Sequence, residues 1–360
     1  MKRVDYILLI SVVLISLFGL LMIYSSSYVW AEYKFNDPYK FLKTQGLFLI
    51  ISYILIIIVS NIDYRKYLNK ANIIFGVCFL LLILVLIPGI GTIRNGSRSW
   101  FGLGSFGIQP SEFAKLAMII FTSKYLMKNE RELKNIKSGV LPIIGILLLL
   151  FFLIMLQPDF GTGVVIVMTI VVLLFISGVK MNFFTKLASI GLVGVVILIL
   201  IAPYRLKRIL SFLNPWQDPL GSGFQIIQSL YAIGPGGLLG MGFGNSIQKH
   251  FYLPEPQTDF IFSIISEEFG FMGVLIVSFL FLTIIYRGFI IAIKTENKFG
   301  KFLAFGITFG LAFQSLLNLM VVVGLIPVTG VTLPFLSYGG SSLMITMIGI
   351  GILLNISRYI

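Results

Sequence analysis

The chain has 360 residues, 58% of them hydrophobic and only 11% charged, with 27 Lys and Arg against 14 Asp and Glu and a mean hydropathy of +1.00. So little charge excludes an ordinary soluble domain of this length, and continuously apolar runs such as 143–156 exclude an alternating closed barrel. The net charge of +13 is scattered through short segments between apolar runs, which is the distribution of a positive-inside membrane protein and not of a nucleic-acid-binding face.

An all-α polytopic membrane protein is therefore expected, with about ten spans of roughly 20 apolar residues each. In chain order they are predicted over 6–24, 42–60, 71–88, 111–127, 139–156, 161–178, 183–203, 259–287, 302–323 and 342–356. Ser25, Ser26 and Ser27 follow the first run and mimic a cleavage site, but bulky Tyr28 and Trp30 come next, so a retained helix is expected. The fourth run opens with Ser111, Glu112 and Lys115, and its depth requires that other helices shield it from lipid. Most basic residues, from Lys2 and Arg3 to Arg358, fall on the side of the termini, which places both termini in the cytoplasm. Cys78, the sole cysteine, lies inside an apolar run and His250 is the sole histidine, so neither a disulfide nor a His- or Cys-based metal site is expected.

The long non-helical stretches, 88–110, 203–258 and 324–341, all fall on the outer side, and loops of that length are usually functional. The chain reads as one domain over 1–360, with 204–258 as a large extracytoplasmic loop. The outer cations Arg94, Arg98, Arg205, Lys207, Arg208 and Lys249 are not required for orientation, so they invite another role.

Ionisable residues inside spans mark functional sites by default. Glu112 and Lys115, three apart on one helix face, form either a structural ion pair or a substrate-facing pair. Asp259, at the start of the eighth span, is either a helix-capping acid or the first residue of a polar face continued by Ser263, Ser266 and Glu267. Glu267 and Glu268 lie about 12–14 Å further down that helix. A structural role is expected for both, with at least one bonded to another helix through a residue such as Gln314 or Asn318. Asp159, between Pro158 and Gly161, reads as turn chemistry. The glycine-rich run 234–244 offers backbone N–H groups to a phosphate, but lacks the order of a dinucleotide- or nucleotide-binding loop.

These residues also resemble a known family. Arg98-Ser-Trp-Phe-Gly-Leu-Gly through Gln109-Pro-Ser-Glu112-Phe-Ala-Lys115, Gln157-Pro-Asp-Phe-Gly-Thr, Asn214-Pro-Trp-Gln-Asp-Pro through Pro254-Glu-Pro-Gln-Thr-Asp259, and the run from Gly324 to Ser342 look like the SEDS proteins (FtsW, SpoVE, RodA), nearer the FtsW and SpoVE branch. Phe224 and Met241 depart from residues often found in the family. The resemblance implies an inverting peptidoglycan glycosyltransferase of the bacterial plasma membrane. Such an enzyme polymerises lipid II into β-1,4 glycan strands at the outer face and releases undecaprenyl diphosphate, serving division, sporulation or elongation. It implies Asp259 as the catalytic aspartate, with Trp100, Glu112 and Lys115 close to substrate. It also implies a class B penicillin-binding protein, a transpeptidase, docked on the late helices. With no second acid to protonate the leaving group, cations must stabilise the departing diphosphate; Arg98, Arg205, Arg208 and Lys249 are the candidates. No resident cofactor is expected, although a divalent cation (Mg or Mn) helping the diphosphate leave stays open. A lipid II flippase and a non-catalytic scaffold for a transpeptidase are the alternative readings.

Overall fold

The computed structural model describes residues 4–94, 96–102, 107–201, 212–221 and 223–360. Each of the predicted spans coincides with a helix. The helices are α1 (Tyr6–Phe35), α2 (Lys40–Asn61), α3 (Arg65–Leu84), α4 (Pro110–Lys128), α5 (Leu141–Met155), α6 (Phe160–Ile176), α7 (Met181–Ile201), α8 (Phe224–Ile233), α9 (Ile261–Lys294), α10 (Lys298–Val322) and α11 (Gly340–Ser357). Among the described residues, seven helices are long and apolar enough to cross a membrane, and α6 is a shorter apolar helix. The protein is a multi-pass membrane protein.

Helix α4 falls outside those seven because of its polar first turn, and it is instead packed against α3, α6 and α10. Gly306 makes that packing possible. A Cβ on Gly306 would press to 2.7 Å from Ile119 of α4 and 3.0 Å from Leu173 of α6, the small-residue contact expected between membrane helices.

Helix α1 extends well beyond its predicted end. Its serines do not break it, because the Ser26 and Ser27 hydroxyls donate back to the Ile23 carbonyl. Thirty residues make about 45 Å of helix, longer than a hydrocarbon core of about 30 Å. Its last turns therefore stand clear of the apolar layer. The chain ends meet at the opposite pole, where the Asp5 N–H donates to Ser357 at 3.2 Å and the Arg287 guanidinium pairs with Asp5 at 2.6 Å.

The pole away from the termini carries the connecting loops, which are more ordered than the sequence suggested. Thr92–Arg94 (β1) and Ser97–Trp100 (β2) form an antiparallel hairpin with an irregular register after Thr92. The stretch 203–258, expected to be non-helical, contains α8. Ile226, Ile227, Ser229 and Ala232 form its buried face, and Ser229 donates to the Val322 carbonyl at the end of α10 at 2.6 Å.

Helix α9 is broken at Gly270 (φ 59, ψ −155), and the break is fully repaired. The Glu267 and Glu268 carbonyls accept from the N–H groups of Met241 and Gly242 at 2.9 Å each. The N–H groups of Phe271 and Met272 donate to the Gly237 and Leu238 carbonyls at 2.9 and 3.1 Å. Backbone groups freed at a kink must be re-paired in this way inside a membrane protein. Within the glycine-rich run, the Met241 and Gly242 N–H groups are thus spent on α9. Gly240 (φ +80) has no room for a Cβ against the Glu268 carbonyl. A Gly240→Ala variant is expected to lose about 1–3 kcal/mol from the left-handed backbone and the clash together, read as a lower melting temperature in detergent.

Candidate active site

At the loop-bearing pole a groove of about 430 Å³ sinks between the hairpin, α4, α6, α10, the 254–260 loop and the 329–340 loop. Its walls carry the carboxylates of Glu112, Asp159, Glu255 and Asp259, the cations Arg94 and Lys115, and the rings of Trp30, Phe41, Trp100 and Tyr338. Below it, a narrow cavity of about 60 Å³ continues between α4, α6, α10 and α11, lined mainly by apolar side chains including Leu116, Ile119, Ile166, Leu311 and Ile345. Lys115, Val165 and Gln314 line both, so the polar groove and the apolar slot adjoin.

Asp259 precedes the first turn of α9, whose capping residue is Phe260, so it is no helix cap. Its position is fixed through the backbone. Asn318 on α10 donates from Nδ2 to the carbonyls of Asp259 and Val331, both at 2.8 Å. One turn earlier, the Gln314 amide donates to the Thr332 carbonyl at 3.0 Å. Two further bonds knit the loops together: Ser337 Oγ donates to the Thr258 carbonyl at 2.6 Å and the Tyr338 N–H to the Gln257 carbonyl at 2.8 Å. With the backbone held, the carboxylate faces Gly330, where a Cβ would lie 3.9 Å from Oδ2. Burial, with a smaller push from the Glu255 charge, raises the Asp259 carboxyl to about 6.

Glu112 and Lys115 pair at 2.9 Å on α4, nearly buried, and Lys115 Nζ also donates to Gln314 Oε1 at 2.6 Å. They line the groove while remaining an ion pair. Asp159 caps α6, accepting from the Thr162 N–H at 3.2 Å, and also accepts from Ser111 Oγ at 2.9 Å and Gln109 Nε2 at 3.0 Å. Turn chemistry explained its place after Pro158 but missed that it faces the groove beside α4. Burial pushes its carboxyl above the ordinary range despite these bonds.

The groove brings together Asp259, Trp100, Glu112 and Lys115, but not Arg98 or Lys249. Arg98 is on β2 between Ser97 and Ser99 but does not line the groove, and its side chain lies against Gly91, where a Cβ would stand 3.1 Å from Cγ. Lys249 is buried away from the groove, 2.9 Å from Glu268 with neither side chain exposed, and its ammonium stands over the Tyr28 ring. Arg205 and Arg208 lie outside the described residues. Glu267 and Glu268 do not bond to Gln314 or Asn318 as expected. Glu267 accepts from Ser246 Oγ and from the Ile247 N–H at 2.8 Å, and Glu268 from Ser25 Oγ at 2.6 Å and from Lys249. The two carboxylates anchor the outer loop to α9 and α1. Arg94, named in the sequence only as a surplus outer cation, is the arginine that reaches the groove among the described residues.

The polar groove and the apolar slot thus adjoin at the loop-bearing pole, with the Asp259 carboxylate on the polar wall. The chain belongs to the FtsW/RodA/SpoVE family of cell cycle proteins, whose model matches residues 5–360. It is 54% identical to the stage V sporulation protein E of Bacillus subtilis (strain 168) over 99% of this chain and 97% of that protein. It is 42% identical to the probable peptidoglycan glycosyltransferase FtsW of Geobacter sp. (strain M18), over 99% and 98%. A solved chain from a peptidoglycan synthase complex, studied for how polymerization and crosslinking are coordinated, superposes with a TM-score of 0.80 at 32% identity, covering 100% of this chain and 99% of that one. The rod shape determining protein RodA of Thermus thermophilus superposes with a TM-score of 0.69 at 27% identity, over 99% and 98%.

Proposed function

We propose that this protein is a peptidoglycan glycosyltransferase that polymerises lipid II into β-1,4 glycan strands at the extracytoplasmic edge of the bacterial plasma membrane, with both termini cytoplasmic. The observation that carries the reading is the union of polar groove and apolar slot at Lys115 and Gln314, with Asp259 on the polar wall. A polyprenyl-linked sugar has the matching division, a hydrophilic head on an apolar tail.

In the reaction, the acceptor 4-hydroxyl oxygen bonds to the anomeric carbon of the donor sugar as the bond from that carbon to the phosphate-bearing oxygen breaks. The bonding pair leaves with undecaprenyl diphosphate, the hydroxyl proton passes to Asp259, and the anomeric centre inverts. A base is most useful when it titrates near the working pH, and burial has moved Asp259 toward it. Only the ionised carboxylate accepts the proton. The rate with purified protein and lipid II is therefore expected to fall about tenfold per pH unit below about 6 and to level off above it. A profile flat from about pH 4.5 to 8, with polymer length read on gels, removes Asp259 from the base role.

Among the described residues no three His, Cys, Asp or Glu side chains converge as a metal cage. Mg is commonly held by phosphate oxygens with one or two carboxylates, and Asp159 and Glu112 would be the groove groups to meet a divalent ion carried in on the diphosphate. A class B penicillin-binding protein is the proposed partner, supported by the likeness to a chain from a synthase complex. The flippase alternative needs a polar path shared by Glu112, Lys115, Glu267 and Glu268. Glu267 and Glu268 are instead sealed in the loop-anchoring cluster and line neither cavity.

A further inference from the structure

The geometry points to Arg94 as the residue that grips the diphosphate of the lipid-linked sugar in the groove, an inference that rests on the function proposed above. Arg94 closes β1 and lines the groove. Its guanidinium lies 4.9 Å from the centroid of the Trp100 ring. On another side Gly107 gives it room, since a Cβ there would stand 2.6 Å from both Nη1 and Nη2. The guanidinium is thus held on two sides before any ligand arrives.

One of its donors is held without use. Arg94 Nη2 is buried and has no hydrogen-bond partner, as do two other groove atoms, Gln257 Oε1 and Thr329 Oγ1. A buried donor without an acceptor costs about 1–3 kcal/mol, a cost that a ligand oxygen removes once a small shift of the side chain off Gly107 uncovers Nη2. Gln257 Oε1 can only accept, and a hydroxyl serves either way, whereas the arginine demands an acceptor. Arg94 and Lys115 are the cations lining the groove among the described residues. Lys115 is already engaged by Glu112 and Gln314, so Arg94 has the uncommitted capacity for an anion.

Diphosphate is the anion this site suits. A planar guanidinium fork matches phosphate oxygens in a bidentate contact, which an ammonium cannot copy. The carboxylates of the groove repel a diffuse anion, so the ligand must bring other binding energy with it, which the apolar slot can supply to a polyprenyl chain. During transfer the leaving diphosphate gains one negative charge with the bonding pair, and a cation fixed beforehand stabilises that charge without rearranging. The role assigned in the sequence to Arg98, Arg205, Arg208 or Lys249 passes, within the described structure, to a residue four positions from Arg98.

The test is binding of undecaprenyl diphosphate, and of undecaprenol as the uncharged control, to the purified full chain in detergent by thermophoresis. Wild type is expected to prefer the diphosphate. Arg94→Ala should weaken diphosphate binding about 10–100-fold, leave undecaprenol binding unchanged, and lower the polymerisation rate. Arg94→Lys, which keeps the charge and loses the fork, should fall between. Arg94→Ala or Arg94→Lys protein that melts normally and binds the diphosphate within twofold of wild type overturns the inference. Equal loss of diphosphate and undecaprenol binding in the variants also overturns it, since that marks a structural role. Polymer made by wild-type protein alongside either result leaves the glycosyltransferase reading standing, so the two are scored separately.

Discussion

Replacing Asp259 by Asn is expected to cut glycan-strand synthesis by about 10²–10⁴-fold, the usual contribution of a positioned general base, while making the protein more stable at neutral pH. The two effects share one cause. Burial raises the folded-state carboxyl to about 6, above the ordinary value of 3.8. A raised carboxyl means that the folded state holds its proton more tightly than the unfolded state does. Ionisation therefore opposes folding, with no effect below about pH 4 and the full effect above about pH 6. The difference corresponds to about 3 kcal/mol at pH 7, as an upper figure. Asn keeps the shape and removes the charge, so its melting temperature should exceed that of wild type at pH 7 and converge with it near pH 4. A variant that is less stable than wild type at pH 7 contradicts the burial argument, and one that polymerises lipid II at the normal rate contradicts the base.

Lys249→Ala is expected to be among the most destabilising single substitutions in the molecule, and to act on the fold without touching the groove. The Lys249 and Glu268 side chains are fully buried and pair at 2.9 Å. Removing the lysine strands a carboxylate whose other neighbours, Ser25 Oγ at 2.6 Å and the Ser246 N–H at 3.4 Å, cannot neutralise it. Breaking one side of such a pair costs about 3–5 kcal/mol. The double variant Lys249→Met with Glu268→Gln should recover much of that loss, because no uncompensated charge remains. Thermal melting of the single and double variants in detergent measures both. A single variant that melts like wild type means that the pair does not hold the outer loop.

The helical architecture was legible because apolar run length directly encodes a span, and α4 was legible as a shielded helix because Glu112 and Lys115 share one face. The groove was only partly legible. Asp259, Glu112, Lys115 and Trp100 announce themselves as polar or aromatic groups in blocks of unusual sequence. Whether a cation faces a cavity depends on details the pattern does not carry. Arg98 lies against Gly91 and outside the groove, and tertiary packing draws Lys249 inward to Glu268. Arg94 carried no sequence mark beyond a surplus charge. Helix α8 was missed because Gly and Pro on both sides suggested loop, although Ile226, Ile227 and Ile233 already had helical spacing. The glycine-rich run offered N–H groups to a phosphate because nothing local shows that the Glu267 and Glu268 carbonyls claim those of Met241 and Gly242.

The interruption at Gly270 also divides labour along α9. Axial stress on a continuous helix passes from turn to turn through its hydrogen bonds, and here that relay stops and is handed sideways to the 237–242 strap. The short stub from Ile261 to Phe269, with Asp259 just ahead of it, therefore shares the mechanics of the outer cap, whereas the portion beyond Gly270 follows the lipid. Bilayer thickness can tilt the lower rod with little leverage on the carboxylate.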